Sequence, residues 1–308
     1  MEAAGKSPEE IGSRIAALGV WKHLCRFNWA VKPFGVAFPY FCSVMRFDNG
    51  PVRHRLFLIE GWQTFHDYMR TRAESDFGVY TTPMEMPHFE LVSAAGGETA
   101  LFRHDPGYVP RKLAGREPEL CARLLWQVYG VAMRYESDNS LPMAYYSEKA
   151  MFGRWETAPG EWEDRAFPIP DPQPYVERVA LPKALASAAK DLPFAKDETL
   201  EYDFGLAQNV ITREERPRCV YRLSGAVAQD GSRAVWRNVS VRHGGSLKEL
   251  WEAMPRMLLE DLVNRGRIPG EIAVRSGRVF RFLRPLCMEL PFKLSMRASL
   301  PALDALKP

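Results

Sequence analysis

The spacing of apolar and polar residues predicts both helices and strands in the first half of the chain. Ser7-Pro8-Glu9-Glu10 matches a capping box with proline at the first helical position, and apolar residues follow it at helical spacing. Two strand-like runs, 36–47 and 52–59, flank an Asp-Asn-Gly turn signal. A further helix is predicted from about Glu117. We therefore expect an N-terminal α/β domain over residues 1–150.

Proline dominates the next stretch. Seven prolines fall between Pro159 and Pro193. Proline fixes φ and has no backbone donor, so this composition predicts a semi-rigid, extended connector over residues 151–198. A short helix over 182–190 is expected within it.

The last hundred residues have the most regular pattern. Three strand-like runs, 201–211, 217–228 and 233–242, precede a helix whose capping box begins at Ser246. Two more strands then alternate with helices, which gives the order βββαβαβα. We therefore predict the fold class α/β (α+β) with two domains, and a mixed sheet in the C-terminal domain over residues 199–308.

Proline and glycine also set the expected ends of these later elements. Pro255 is predicted to kink or break the helix that begins near residue 246. Gly266 and Pro269-Gly270 are expected to end it, before a short strand over 272–274. Ser276 is a candidate cap for the following helix.

The order βββαβαβα is that of the ribonuclease-H-like topology, and the likeness is sharpest at residues 265–280. This run resembles the integrase and transposase core, whose corresponding strand ends in an aspartate. Such enzymes hold two metal ions between carboxylates from different strands. Here Arg275 or Ser276 stands at that strand end. Asp203 is the match to the first acid, and the third acid would have to be Asp304, whose spacing is shorter than that family's pattern. The resemblance implies a shared fold without the nuclease chemistry.

The whole chain also resembles uncharacterised bacterial two-domain proteins. The shared feature is a loop of the type Arg-x-x-Pro-Gly-Tyr-x-Pro, which spans residues 103–110 in this sequence. The resemblance brings no activity with it. Arg103 and Tyr108 are candidates to line a binding pocket, and the alternative is that the loop is a structural corner.

Charge is distributed unevenly along the 308 residues. Residues 205–308 contain 18 Lys and Arg against 10 Asp and Glu, whereas the remaining residues contain 23 against 28. A basic part of this kind suggests an anionic partner, and the alternative is a solvated, arginine-rich surface.

Four arginines are the strongest candidates for such a contact. Arg275, Arg278, Arg281 and Arg284 recur every three residues, so those on the helix would form a ridge, with Arg275 just before its start. Guanidinium groups near a helix N-terminus match phosphate geometry. A solvated helix face is the competing interpretation.

Motifs of familiar chemistry are missing from the sequence. It contains no glycine-rich phosphate loop, no HExxH, no GxSxG and no CxxC, and its six histidines show no i, i+4 pair. We therefore expect no metal site, no cofactor and no disulfide framework. The longest uncharged stretch, 33–45, is too short to span a membrane.

These observations favour a cytoplasmic, non-catalytic binding or adaptor protein whose partner is nucleic acid, another anion or a protein. The first alternative is an enzyme of unrecognised class with a site in the inter-domain cleft, using Asp203 or the Arg103 loop. A second alternative is a purely structural partner of another protein, which an exposed apolar patch near Trp155 and Trp162 would indicate.

Overall fold

The computed structural model describes residues 5–46, 52–74, 85–94, 97–172, 181–243 and 245–306. The predicted Asp-Asn-Gly turn at 48–50 lies outside these residues. The chain divides into two compact units, and each contains a mixed sheet with helices, which confirms the α/β fold class. The N-terminal unit comprises Met1–Met69, Met86–Asp105 and Pro110–Gln173, and the C-terminal unit comprises Arg70–Glu85, Pro106–Val109 and Pro174–Pro308.

The N-terminal unit contains a seven-stranded sheet. Its strands are β1 (Asn28–Lys32), β2 (Tyr40–Arg46), β3 (Val52–Glu60), β4 (His88–Ala94), β5 (Thr99–His104), β6 (Ala150–Ala158) and β7 (Glu161–Pro168), in the spatial order β5-β4-β3-β2-β1-β6-β7. Only the β1–β6 pair among these strands is parallel. The residues of β6 and β7 were expected in the extended connector. They add two strands to this sheet instead.

Helices cover both faces of the N-terminal sheet. They are α1 (Pro8–Leu18), α2 (Trp62–Glu74) and α3 (Glu117–Ser137). The predicted capping box is present at the start of α1, since Ser7 and Glu10 each bond the other's backbone N–H. Buried residues of α1 and α3 pack with Trp29 and Leu56 of the sheet. On the opposite face, α2 packs Phe65 against Phe41.

The helices and strands of the C-terminal unit follow the predicted order. They are α4 (Lys183–Lys190), β8 (Phe194–Ile211), β9 (Cys219–Val227), β10 (Arg233–Ser240), α5 (Leu247–Arg265), β11 (Ile268–Val274), α6 (Gly277–Leu283), β12 (Lys293–Met296) and α7 (Pro301–Asp304). The strand order is β10-β9-β8-β11-β12. β8, β9 and β10 pair antiparallel, while β11 pairs parallel with both β8 and β12.

Of the two proline predictions in this unit, the one for Pro269-Gly270 is wrong, and the break that was one alternative at Pro255 is absent. α5 begins at its cap Ser246 and continues through Pro255 to Arg265 without a break. β11 begins at Ile268, so Pro269-Gly270 lies inside a strand rather than at a turn. Pairing with β12 begins only at Glu271, so Pro269 sits on a free edge of β11, where a proline is tolerated. Gly270 is required by close approach, because a Cβ there would lie 1.9 Å from the carbonyl oxygen of Lys196.

The two faces of the C-terminal sheet are covered differently. α5 and α6 pack on one face around a core that includes Trp251 and Phe282. On the other face, which we call the α7 face, Leu300 and Leu303 pack against Ala226 and Ala273. Because strand side chains alternate, residues such as Asp203 and Trp236 lie on this α7 face. Within the described parts of both units, no helix has the length and apolar character needed to cross a membrane.

Candidate functional site

Three charged residues named by the sequence meet on the α7 face of the C-terminal sheet. Glu201 of β8 pairs with Ala273 of β11, so two residues further along these parallel strands Asp203 and Arg275 lie side by side. Arg275 Nε lies 3.2 Å from Asp203 Oδ2, and its Nη2 lies 2.7 Å from Oδ1 of Asp304, the last residue of α7. We call these residues, Asp203, Arg275 and Asp304, the acid–arginine triad.

The triad places one cation between two carboxylates that come from different elements. The side chains of Arg275 and Asp203 are 16% and 21% exposed, so the pair is only partly screened by water. A guanidinium in this position balances half of the charge that the two acids carry. The arrangement is therefore an ion-pair network rather than an open pair of carboxylates.

α7 is tied to the sheet at the same place. Glu201 is buried, and its Oε2 accepts the backbone N–H of Leu303 at 2.9 Å, in the first turn of α7. Asp304 adds the hydrogen bond from Arg275. The acid–arginine triad thus fixes the position of a helix as well as balancing charge.

Two of the other predicted contact residues make contacts within the C-terminal unit. Ser276 accepts the backbone N–H of Val279 at 3.4 Å and caps α6, as predicted. Arg278 forms an ion pair with Glu85, whose side chain is 6% exposed, and lies 4.0 Å above the ring of the buried Trp251. Burial raises the pKa of Glu85, and the charge of Arg278 opposes that rise.

The remaining members of the predicted arginine ridge lie in different surroundings. Arg281 is half-buried on α6. Arg284 is exposed and lies beyond the end of α6, as the first residue of a 3-10 turn (Arg284–Met288). The four arginines therefore do not form one continuous helical ridge.

Arg103 is held in an ion-pair network of the N-terminal unit. Its Nη2 donates to Glu60 Oε2 at 2.9 Å, and its Nε donates to Asp105 Oδ1 at 3.2 Å. Arg111 also contacts Asp105 and forms two hydrogen bonds with Glu117, which lowers the pKa of that carboxyl. These contacts orient the start of the 103–110 loop.

Tyr108 belongs to the C-terminal unit and lies beside the residues that directly precede its second strand. Arg216 stacks on its ring at 4.0 Å, and Tyr108 forms a β-bridge with Arg218. Gly107 has a φ of 83°, and a Cβ there would lie 2.4 Å from Val241 Cγ2. The glycine of this loop is therefore needed both for its conformation and for its close packing.

Sequence analysis missed a second feature of the α7 face, in which an aromatic ring lies between two arginines. The guanidinium of Arg233 lies 3.6 Å from the ring centroid of Trp236, and that of Arg222 lies 4.6 Å from it. The register places Asp203, Ser224 and Trp236 in one row across three strands. We call Arg222, Arg233 and Trp236 the Trp–Arg patch. A β-bulge between residues 233 and 235 hides it from a period-two pattern.

Sequence analysis also missed a group of metal-ligating residues in the N-terminal unit. His88, Glu90 and His104 are buried, and one ligand atom from each lies within 4.8 Å of the other two. The residues follow a strand pattern, with two of them at i, i+2. A search for helical i, i+4 pairs does not find that spacing. Across both units, this is the one such group in the described part of the chain.

Two other candidate regions are less distinctive. Trp155 and Trp162 are half-buried, and Trp155 packs against Phe167. A groove of about 500 Å³ lies between β10 and α5, but its charged lining consists of three arginines and three glutamates, so it favours neither sign of ligand charge. The charged lining residues are Arg237, Arg242, Arg256, Glu249, Glu252 and Glu260.

Comparison with known proteins finds one family model that matches part of the chain. A model described as a domain of unknown function, DUF6930, matches residues 186–308, which extend from α4 through α7. The acid–arginine triad and the Trp–Arg patch both lie inside this match. No curated protein and no solved structure matches the chain.

Proposed function

We propose that residues 199–308 form a ribonuclease-H-like domain that has lost metal-dependent phosphodiester chemistry and now binds single-stranded nucleic acid. The chain is, in this proposal, a non-catalytic binding protein. Its partner contacts the α7 face of the C-terminal sheet.

Strand order and the origin of the triad support the fold assignment. Three antiparallel strands are followed by two parallel strands added on the side of β8. Asp203 comes from the first strand, Arg275 directly follows the fourth, and Asp304 lies on the helix after the fifth. Integrase-like enzymes carry acids at the matching strand positions, as the sequence resemblance implies.

The position of Arg275 carries the proposal that the domain is non-catalytic. Two-metal catalysis needs several carboxylates directed at divalent cations. Here a guanidinium forms ion pairs with both Asp203 and Asp304. A fixed positive charge in that place repels a divalent ion, and the acid expected at the end of the fourth strand is missing.

The Trp–Arg patch supports nucleic acid as the partner. Aromatic side chains on an open sheet face stack with bases, and neighbouring arginines contact phosphates. Trp236 lies two strands from Asp203, about 10 Å away at ordinary strand spacing. The positive balance of residues 205–308 agrees with an anionic partner.

The test measures, by fluorescence anisotropy at low salt, how tightly the full chain binds fluorescein-labelled 20-nucleotide DNA and RNA strands. We expect Trp236→Ala to weaken binding about 5- to 100-fold, which corresponds to the loss of one stacked base. The matched control is Arg256→Ala, which removes an exposed arginine from α5 on the opposite face. We expect this control to bind nearly as well as the unchanged chain.

Two results would overturn the proposal. One is the absence of strand binding at low salt, which would leave a protein partner as the better hypothesis. The other is strand cleavage in Mg²⁺ or Mn²⁺ that disappears in Asp203→Asn, because it would show that the acids still support catalysis.

A further inference from the structure

The buried group in the N-terminal unit, His88, Glu90 and His104, has an arrangement that ordinary core packing does not require. We call it the His–Glu–His cluster. His88 and Glu90 alternate on β4, and the register places His104 of β5 directly opposite His88. All three side chains therefore point to the same face of the sheet. Their exposed fractions are 0%, 3% and 3%.

His88 offers a free lone pair in the protein interior. Its Nδ1 lies 2.8 Å from the carbonyl oxygen of Met86, so Nδ1 carries the proton and donates it. Nε2 is then an acceptor, and it has no hydrogen-bond partner among the described residues. Metal-binding histidines usually have this form, with one ring nitrogen donating to a carbonyl and the other facing the ion.

Glu90 and His104 supply the other atoms of a metal-ligand set. The ring of His104 stacks on that of His88 with centroids 4.1 Å apart, and its Nε2 lies 2.6 Å from Glu90 Oε2. His104 Nδ1 has no hydrogen-bond partner within the described chain. Burial lowers the pKa of His88 to about 3, which keeps this imidazole neutral at physiological pH.

A competing cation lies beside the cluster. Arg55 Nη1 forms an ion pair with Glu90 Oε1 at 3.2 Å, and the Arg55 side chain is 33% exposed. A purely structural network would use Arg55 to balance the charge of Glu90. That role does not explain the unpaired nitrogen of His88.

We propose that His88, Glu90 and His104 bind one divalent first-row transition-metal ion, of the Zn²⁺ or Fe²⁺ type. Two imidazoles and one carboxylate suit these ions, whereas Mg²⁺ and Ca²⁺ prefer oxygen donors. The ion cross-links β4 to β5, the edge strand of the sheet. Arg55 moves toward solvent as the ion takes over the charge of Glu90.

The experiment uses the untagged full chain after chelator treatment, with Zn²⁺ and anaerobic Fe²⁺ added separately at neutral pH. We expect about one equivalent of one of these metals per chain, measured by mass spectrometry of the metal after desalting. Thermal unfolding should move to higher temperature with that metal, because a ligand of the native state stabilises it. The two additions distinguish which ion the site prefers.

Variants distinguish metal binding at the His–Glu–His cluster from incidental metal binding elsewhere on the chain. His88→Gln and His104→Gln should lose the bound equivalent, whereas the exposed His23→Gln should keep it. Arg55→Gln provides a variant that leaves all three donors in place. It should bind the metal about 10- to 100-fold more tightly, since the competing charge is gone.

Binding of less than a tenth of an equivalent by the unchanged chain would overturn the inference. So would a metal content that does not change in His88→Gln and His104→Gln when both fold, as judged by circular dichroism. Equal or weaker metal affinity in Arg55→Gln would also contradict it, because that result indicates a structural ion-pair network.

Discussion

At the scale of single residues, buried polar groups without partners are the most informative features of the N-terminal unit. His54 is 2% exposed, and its ring stacks on Trp21 with centroids 3.5 Å apart. Neither ring nitrogen has a hydrogen-bond partner among the described residues. Burial lowers the pKa of His54 to about 4, because the charged form loses its hydration. His54 is therefore neutral in the native state.

We predict that His54 makes the fold sensitive to acid. In the unfolded chain a histidine has a pKa of about 6.5, so the unfolded state takes up the proton first as pH falls. Stability is fully present above pH 6.5 and is lost toward pH 4, at up to about 1.4 kcal/mol per pH unit. His54→Phe keeps the stacked ring and removes this loss. Urea unfolding at pH 7.0, 5.5 and 4.5 measures it.

The control for this prediction is His23→Gln, since His23 is exposed. It should show the same decline with pH as the unchanged chain. If His54→Phe also declines in parallel with the unchanged chain, His54 does not contribute to the acid sensitivity.

At the scale of elements, α7 depends on charges supplied by two strands. Glu201 accepts a backbone N–H from its first turn, and Arg275 bonds Asp304 at its end. A four-residue helix has too few internal hydrogen bonds to be stable alone. Its position must come from these contacts and from Leu300 and Leu303.

We predict that Arg275→Met lowers the free energy of unfolding by about 1–3 kcal/mol. The change leaves Asp203 and Asp304 without their shared cation and releases the end of α7. In a background that carries Asp203→Asn and Asp304→Asn, the same change should cost less than about 1 kcal/mol, because no charge is left uncompensated. Urea unfolding of the four proteins gives this cycle. An equal cost in both backgrounds would contradict an electrostatic role.

Local sequence signals explain which elements could be predicted. The capping serines Ser7, Ser246 and Ser276 all act on nearby backbone N–H groups, so the sequence contains both partners. The strand conformation at Gly270 was misjudged, and the sequence did not exclude a break at Pro255, because tertiary packing decided both conformations. α5 is held by the core around Trp251, and Gly270 faces a carbonyl on another strand.

The candidate sites also differ in whether the sequence could predict them. The acids of the triad were identified through a resemblance that orders elements along the chain, so Asp203, Arg275 and Asp304 could be named in advance. The Trp–Arg patch and the His–Glu–His cluster each depend on cross-strand register. A single sequence does not give that register, and in the Trp–Arg patch the bulge between residues 233 and 235 shifts it.

At the scale of the whole molecule, the excess of positive charge falls in the part of the sequence that contains the proposed binding surface. Residues 205–308 carry the excess of basic side chains, although several of these arginines are used in internal ion pairs. Net charge attracts an anionic strand over long distances, and contacts in the patch hold it. Salt separates these contributions, since each phosphate contact releases counterions whereas base stacking does not.

We predict that the logarithm of the binding constant for the nucleic-acid strand falls linearly with the logarithm of the salt concentration. The slope should be about −0.7 for each phosphate contacted. Arg233→Ala should make the slope shallower by about 0.7, because it removes one phosphate contact from the Trp–Arg patch. Trp236→Ala should lower affinity by a similar factor at every salt concentration and leave the slope unchanged. Anisotropy titrations from 50 to 300 mM salt measure both effects. Equal changes of slope in Arg233→Ala and in the opposite-face control Arg256→Ala would show that only general charge, and not this patch, attracts the strand.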